Sequence, residues 1–122
     1  MKNQVHLFVC TSCRPKGDPR SPRPGQVLFE RLSSEHAAWA RRIGVTIEPT
    51  ECLSVCPRPC GIALSAPEKW TYVFGDVKPG RDEAAVVECA TLYARSANGH
   101  LPREERPVVL RQGILARVPP RS

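Results

Sequence analysis

The chain has 122 residues, a net charge of +6, 41% hydrophobic residues and six cysteines. That length supports one domain with a single modest core, and no apolar run approaches the ~18–20 residues of a membrane span. The opening MKNQVHLFVCTSC meets cysteines where a secretory leader would have small residues at a cleavage site, so a cytoplasmic setting is expected.

The first element is VHLFVC, Val5 to Cys10, apolar almost throughout as in a strand covered on both faces. TSCRPKGDPRSPRPG follows, with four prolines, two glycines and five charged residues, and reads as an exposed loop. From Gln26 to Ile43 the residues Leu28, Leu32, Trp39 and Ile43 recur at helical spacing, and Gly44 stops that helix. VTIEPTE, Val45 to Glu51, is a second strand running into ECLSVCPRPCG. GIALSAPE and WTYVFGDV are two strands joined at Pro67-Glu68-Lys69. A second helix covers Asp82 to Ala97, with Val86, Cys89, Tyr93 and Ala97 on one face and Asn98-Gly99 at its end.

The order β-α-β-β-β-α predicts an α/β (α+β) fold with a four-stranded mixed sheet, on the thioredoxin-like plan. Residues 1–105 make the domain, and residues 106–122 are an extended tail. In the tail Val108, Leu110, Ile114, Leu115 and Val118 are expected to pack on the domain or on a partner subunit, which keeps a homodimer open.

This plan places the cysteines. Cys10 ends the first strand and Cys13 follows in the adjacent loop, whereas Cys52, Cys56 and Cys60 lie in the loop leaving the second strand. If those strands are parallel neighbours, both loops emerge on one edge of the sheet and the two cysteine groups converge. Cys89 stands apart on the apolar face of the last helix, as a small buried hydrophobe.

Three chemistries compete for grouped thiols. A disulfide knot is disfavoured in a reducing compartment. Thiol–disulfide exchange by Cys10 and Cys13 would use C-x-x-C at the start of a helix, where the positive helix end activates the thiolate. Here Arg14-Pro15 follows at once and no helix starts before about Pro24-Gly25, so that activation is missing. Metal binding remains the favoured reading. Cys10, Cys13, Cys52 and Cys56 can surround a tetrahedral Zn²⁺ or supply two ligands to each iron of a [2Fe–2S] cluster. Cys60 is a fifth candidate, and Pro57 and Pro59 stiffen its loop. Residue types leave the metal open, since both assemblies carry the same formal charge.

Nine of the 18 basic residues fall in two stretches: Arg14, Lys16, Arg20 and Arg23, then Arg103, Arg106, Arg111, Arg117 and Arg121. With aromatics at 6% of the chain there is little to stack on bases, and nucleic acid is not an expected partner. Solvated loops beside a negative metal centre, drawing an acidic redox or metal-handling partner, fit better. No catalytic carboxylate pair, Ser-His-Asp set or phosphate-binding glycine loop is present, so an electron carrier or binding protein is expected rather than an enzyme. His6, His36 and His100 stand away from the cysteines in sequence and read as ordinary residues.

The runs LFVCTSCR, ECLSVCPRPCGIAL, KWTYVFGDV and RPVVLRQGILARVPP together resemble a family of short bacterial proteins described only as predicted metal-binding. The resemblance covers nearly the whole chain. Its members tend to lie beside cobalamin-biosynthesis or metal-chaperone genes, which implies a metal- or corrin-related setting. VHLFVC, ECLSVC and YVFGDVKP more distantly resemble the thioredoxin-like [2Fe–2S] ferredoxins. In those proteins one cysteine ends the first strand, another lies in the long loop after it, and C-x3-C follows the second strand. Cys10, Cys52 and Cys56 match position by position. The second ligand falls further along the loop, where this chain has only Pro, Arg, Gly and Ser, so Cys13 or Cys60 must stand in. The resemblance implies a cysteine-bound [2Fe–2S] cluster and electron transfer.

Overall fold

The computed structural model describes residues 4–11, 23–51 and 61–120. β1 (Val5–Cys10) alternates buried and half-buried residues and ends with Val9 and Cys10 both buried. Two helices follow, α1 (Pro24–Glu35) and α2 (Ala37–Ile43), and then β2 (Val45–Thr50). β2 runs parallel to β1 in a register from Val5↔Val45 to Cys10↔Thr50. β3 (Ile62–Ser65) lies antiparallel on the other side of β1, and β4 (Thr71–Phe74) is antiparallel to β3. α3 (Glu83–Arg95), a single 3-10 turn at Arg103–Glu105 and α4 (Val108–Gln112) lead to β5 (Ile114–Val118), which pairs antiparallel with β4. The sheet order is β2-β1-β3-β4-β5. This is the thioredoxin-like class, with one strand more than the four expected.

The fifth strand comes from the stretch read as an extended tail. ILARV is short and two prolines close it, so nothing in its own pattern marks a strand. The unpaired edge of β4 supplies its hydrogen-bond partners, from Thr71↔Val118 to Phe74↔Ile114. Leu110 from α4 is fully buried in the same core, while Val108 and Val118 remain 69% and 51% exposed.

The single helix expected from Gln26 to Ile43 is two. His36 departs from helical geometry at φ −122°, ψ 18°. Just before it stand Ser33 and Ser34, and the Ser34 hydroxyl donates to the Glu30 carbonyl at 2.8 Å. Serine side chains that bond back to the preceding turn weaken and bend a helix. The apolar face nevertheless continues, with Leu28 and Leu32 of α1 and Trp39 of α2 all in the core. Gly44, at φ 86°, ends α2 in the left-handed region and donates its N–H to the Ala40 carbonyl at 2.9 Å. α3 buries Val86, Cys89, Ala90 and Tyr93 on one face and stops at Arg95, leaving Ala97 beyond it and exposed. Lys69, from the β3–β4 turn, donates to the Tyr93 and Ala94 carbonyls and so caps that helix end with positive charge.

Tyr72 fastens the segment after α3 to the sheet. Its hydroxyl, 1% exposed with the rest of the side chain, accepts the Leu101 N–H at 2.9 Å. Tyr72→Phe would leave that buried N–H without an acceptor, and urea unfolding is expected to show a loss of about 1–2 kcal/mol. Ser34→Ala, which removes an exposed hydroxyl from the weak point of α1, should be neutral or slightly stabilising in the same assay.

Candidate metal centre

The parallel pairing of β1 and β2 decides where the thiols can meet. Cys10 is the last residue of β1 and lies opposite Thr50, the last residue of β2. One step on, the Thr11 N–H donates to the Thr50 carbonyl at 2.8 Å, and the Thr11 hydroxyl donates to the same oxygen at 3.1 Å. The Cys10 thiol donates to the Glu51 carbonyl at 3.7 Å, and the Cys10 N–H donates to the Gly61 carbonyl at 2.9 Å. Glu51 precedes Cys52 and Gly61 follows Cys60. The segment carrying Cys52, Cys56 and Cys60 therefore starts and ends on residues bonded to Cys10. Cys13, Cys52, Cys56 and Cys60 themselves lie outside the described residues. Among the described residues, no three metal-ligating side chains group together.

Cys10 is 1% exposed. Its backbone is also closed in by the first turn of α1. A Cβ built on Gly25 would stand 2.0 Å from the Cys10 carbonyl oxygen and 3.1 Å from its carbon. The sequence reading separates Cys10 from any helix start, because the next helix begins fourteen residues later, at Pro24. In space the positive end of this twelve-residue helix rests against the Cys10 backbone. Pro24-Gly25 signals this locally: proline begins the helix, and only a residue without Cβ permits the approach.

The histidines, read as ordinary residues, lie elsewhere. His6 pairs with Glu48 across β1 and β2 and stacks on Phe8 at 5.9 Å. His36 sits at the α1–α2 junction and His100 is exposed beyond α3. Of the described tail arginines, Arg117 lies away from the Cys10 end of the sheet, opposite Tyr72. Arg117 packs over the Trp70 ring at 5.1 Å. Trp70 precedes β4, whose Phe74 end, not its Thr71 end, faces the Cys10 side of the sheet through the Val9↔Ile62 and Ile62↔Phe74 pairs. Arg106 is buried at 6% exposure.

Cys89 is fully buried on α3. Burial pushes its thiol up to about 12 from an ordinary value of 9.0, against a smaller downward pull from the Arg106 charge. It is a protonated core thiol. Cys89→Ala is expected to leave any visible spectrum unchanged and to cost about 1–2 kcal/mol of packing, read by urea unfolding. The raised folded pKa also sets a pH window: the contribution of this group is complete below the unfolded value of 9.0 and declines as pH rises toward 12. Wild type should therefore lose stability across that window more steeply than Cys89→Ala.

With the strand ends and their bonds established, comparison with known proteins adds the family. A family model described as "Protein of unknown function (DUF1636)" matches residues 7–120. The chain belongs to that family. No curated protein matches. Among solved structures the chain is similar to a thioredoxin-like [2Fe–2S] ferredoxin from Aquifex aeolicus, with a TM-score of 0.60 and 22% identity over 94% of this chain and 93% of the ferredoxin. It is also similar to a cysteine-to-serine variant of the thioredoxin-like [2Fe–2S] ferredoxin from Aquifex aeolicus, with a TM-score of 0.57 and 22% identity over 92% of this chain and 98% of that one. At this identity the likeness shows the fold of the family member. Among the described residues, no helix is long and apolar enough to cross a membrane.

Proposed function

We propose that this protein is an electron carrier holding a [2Fe–2S] cluster on the thiolates of Cys10, Cys52 and Cys56, with Cys13 as the fourth ligand and Cys60 as its rival. One observation carries the reading: the buried Cys10, at the end of β1, is hydrogen-bonded to Glu51 and Gly61, the residues flanking the segment with three further cysteines. The likeness to ferredoxins of the same fold supports it.

The donor set fits such a group. Thiolates are the usual ligands of both irons, and a cluster bound there supplies one-electron exchange with no need for a substrate pocket. The chain's own part is to fix and screen the ligands. The β1–β2 ladder and the Gly61 carbonyl hold the Cys10 backbone in place, so the thiolate needs little reordering when a ligand field forms around it. The first turn of α1 brings a partial positive charge to the same corner, which lowers the cost of a negative thiolate. Arg23 at the start of α1, Lys78 and Arg81 in the segment between β4 and α3, and Arg111 just before β5 are described basic residues close in the chain to that end of the sheet. With a net charge of +6 they favour an acidic partner through a field that salt weakens.

Reduction by dithionite under nitrogen tests the reading. The visible absorption should bleach by about one electron per chain and a paramagnetic signal should appear. A sample that neither bleaches nor becomes paramagnetic, while holding zinc, would make the thiolates a structural metal site.

A further inference from the structure

We infer that the cavity between β4, β5 and the 3-10 turn is a binding site for a small organic oxyanion, with Arg106 as its anchor. The cavity holds about 380 Å³ and is lined by Tyr72, His100, Arg103, Glu104, Arg106 and Arg117 among others. That volume lies at the small end of ligand pockets.

Arg106 is the deciding residue. It is 6% exposed, and its Nε and Nη1 are buried with no acceptor among the described residues. Every nitrogen of a guanidinium is a hydrogen-bond donor and none accepts, so only an acceptor can meet these two. Buried charges are otherwise paired. The loop around it is braced rather than slack: Arg111 donates through Nε to the Arg106 carbonyl at 2.9 Å and through Nη2 to the Glu104 carbonyl at 2.8 Å. Those bonds hold the backbone and leave the Arg106 side chain aside.

The lining brings together three arginines, Arg103, Arg106 and Arg117, and one acidic residue, Glu104. Arg117 is itself positioned by its contact with Trp70. The planar fork of arginine matches a phosphoryl or carboxylate group by two parallel N–H bonds. A small metabolite bearing one such group therefore suits both the charge and the size. None of the residues lining it is a cysteine, and Arg117 in its wall pairs with Tyr72, away from the Phe74 end of β4.

Calorimetric titration of the loaded protein with inorganic phosphate and, separately, with malonate tests the inference, using sodium chloride at matched ionic strength as the blank. Saturable binding of phosphate marks a phosphoryl ligand, and saturable binding of malonate marks a carboxylate. Either should weaken by about tenfold in Arg103→Gln or Arg117→Gln and disappear in Arg106→Gln. Arg95→Gln, on the exposed end of α3, should bind as wild type. Where Arg106→Gln fails to fold, the Nε–H resonance of Arg106 in the wild-type protein serves instead and should shift with the same saturation. Neither anion binding above the chloride blank, Arg106→Gln binding as wild type, or an unmoved Arg106 resonance would each overturn the inference.

Discussion

Cys10→Ser is expected to strip the protein of its visible absorption and of most of its metal. A serine hydroxyl is not a thiolate at neutral pH, so one corner of the donor set is lost outright. Cys10 also occupies the point where the two cysteine-bearing segments are tied together, through Glu51 and Gly61. Because binding and folding draw on the same free energy, the loss should appear twice. Iron content should fall to below about a tenth of wild type, and the unfolding midpoint should move well below that of the loaded protein. Cys52→Ser and Cys56→Ser should behave alike. Retention of full metal content by all three variants, with loss in Cys89→Ala, would invert the assignment of ligand and core.

Gly25→Ala should be the most damaging single methyl group in the protein. At an ordinary helix position glycine to alanine stabilises by about 1 kcal/mol. Here the added Cβ would lie 2.0 Å from the Cys10 carbonyl oxygen and 3.3 Å from the Thr11 carbonyl carbon. Both neighbours are backbone and cannot rotate aside. Either α1 or the end of β1 must shift, and the cost is expected near 3 kcal/mol, the upper end of overpacking. A shift of β1 moves Cys10, so metal content should fall along with stability. Ser33→Ala, in the same helix and away from this contact, should change unfolding by no more than about 0.5 kcal/mol. A Gly25→Ala protein as stable and as metal-rich as wild type would mean that α1 does not close on Cys10.

Much of the frame could be read from residue patterns. The apolar run VHLFVC and the strand VTIEPT were expected to be parallel neighbours, and their register brings Cys10 beside Thr50 and Glu51. Gly44 marks a helix end by its own backbone geometry. Local signals of this kind survive because burial and dihedral preference act residue by residue. What escaped depends on partners distant in sequence. β5 exists because β4 has an open edge, and nothing inside ILARV announces it. The break at His36 follows from Ser34 bonding back to Glu30, a choice that apolar spacing does not report. That the first turn of α1, starting at Pro24 as expected, packs against the Cys10 carbonyl fourteen residues back is a contact that sequence spacing does not report. Arg106 looked like one more basic residue of a solvated tail, and only the folded chain buries it. Of the candidate ligands, Cys10 is the one among the described residues. The rest of the set is inferred from where its segments begin and end.

Quantification of iron, acid-labile sulfide and zinc in protein purified without oxygen tests the central claim most directly. The account expects about two irons and two sulfides per chain with little zinc, in a brown sample whose colour is lost in Cys10→Ser. One zinc per chain with neither iron nor sulfide, in a colourless sample, would contradict it.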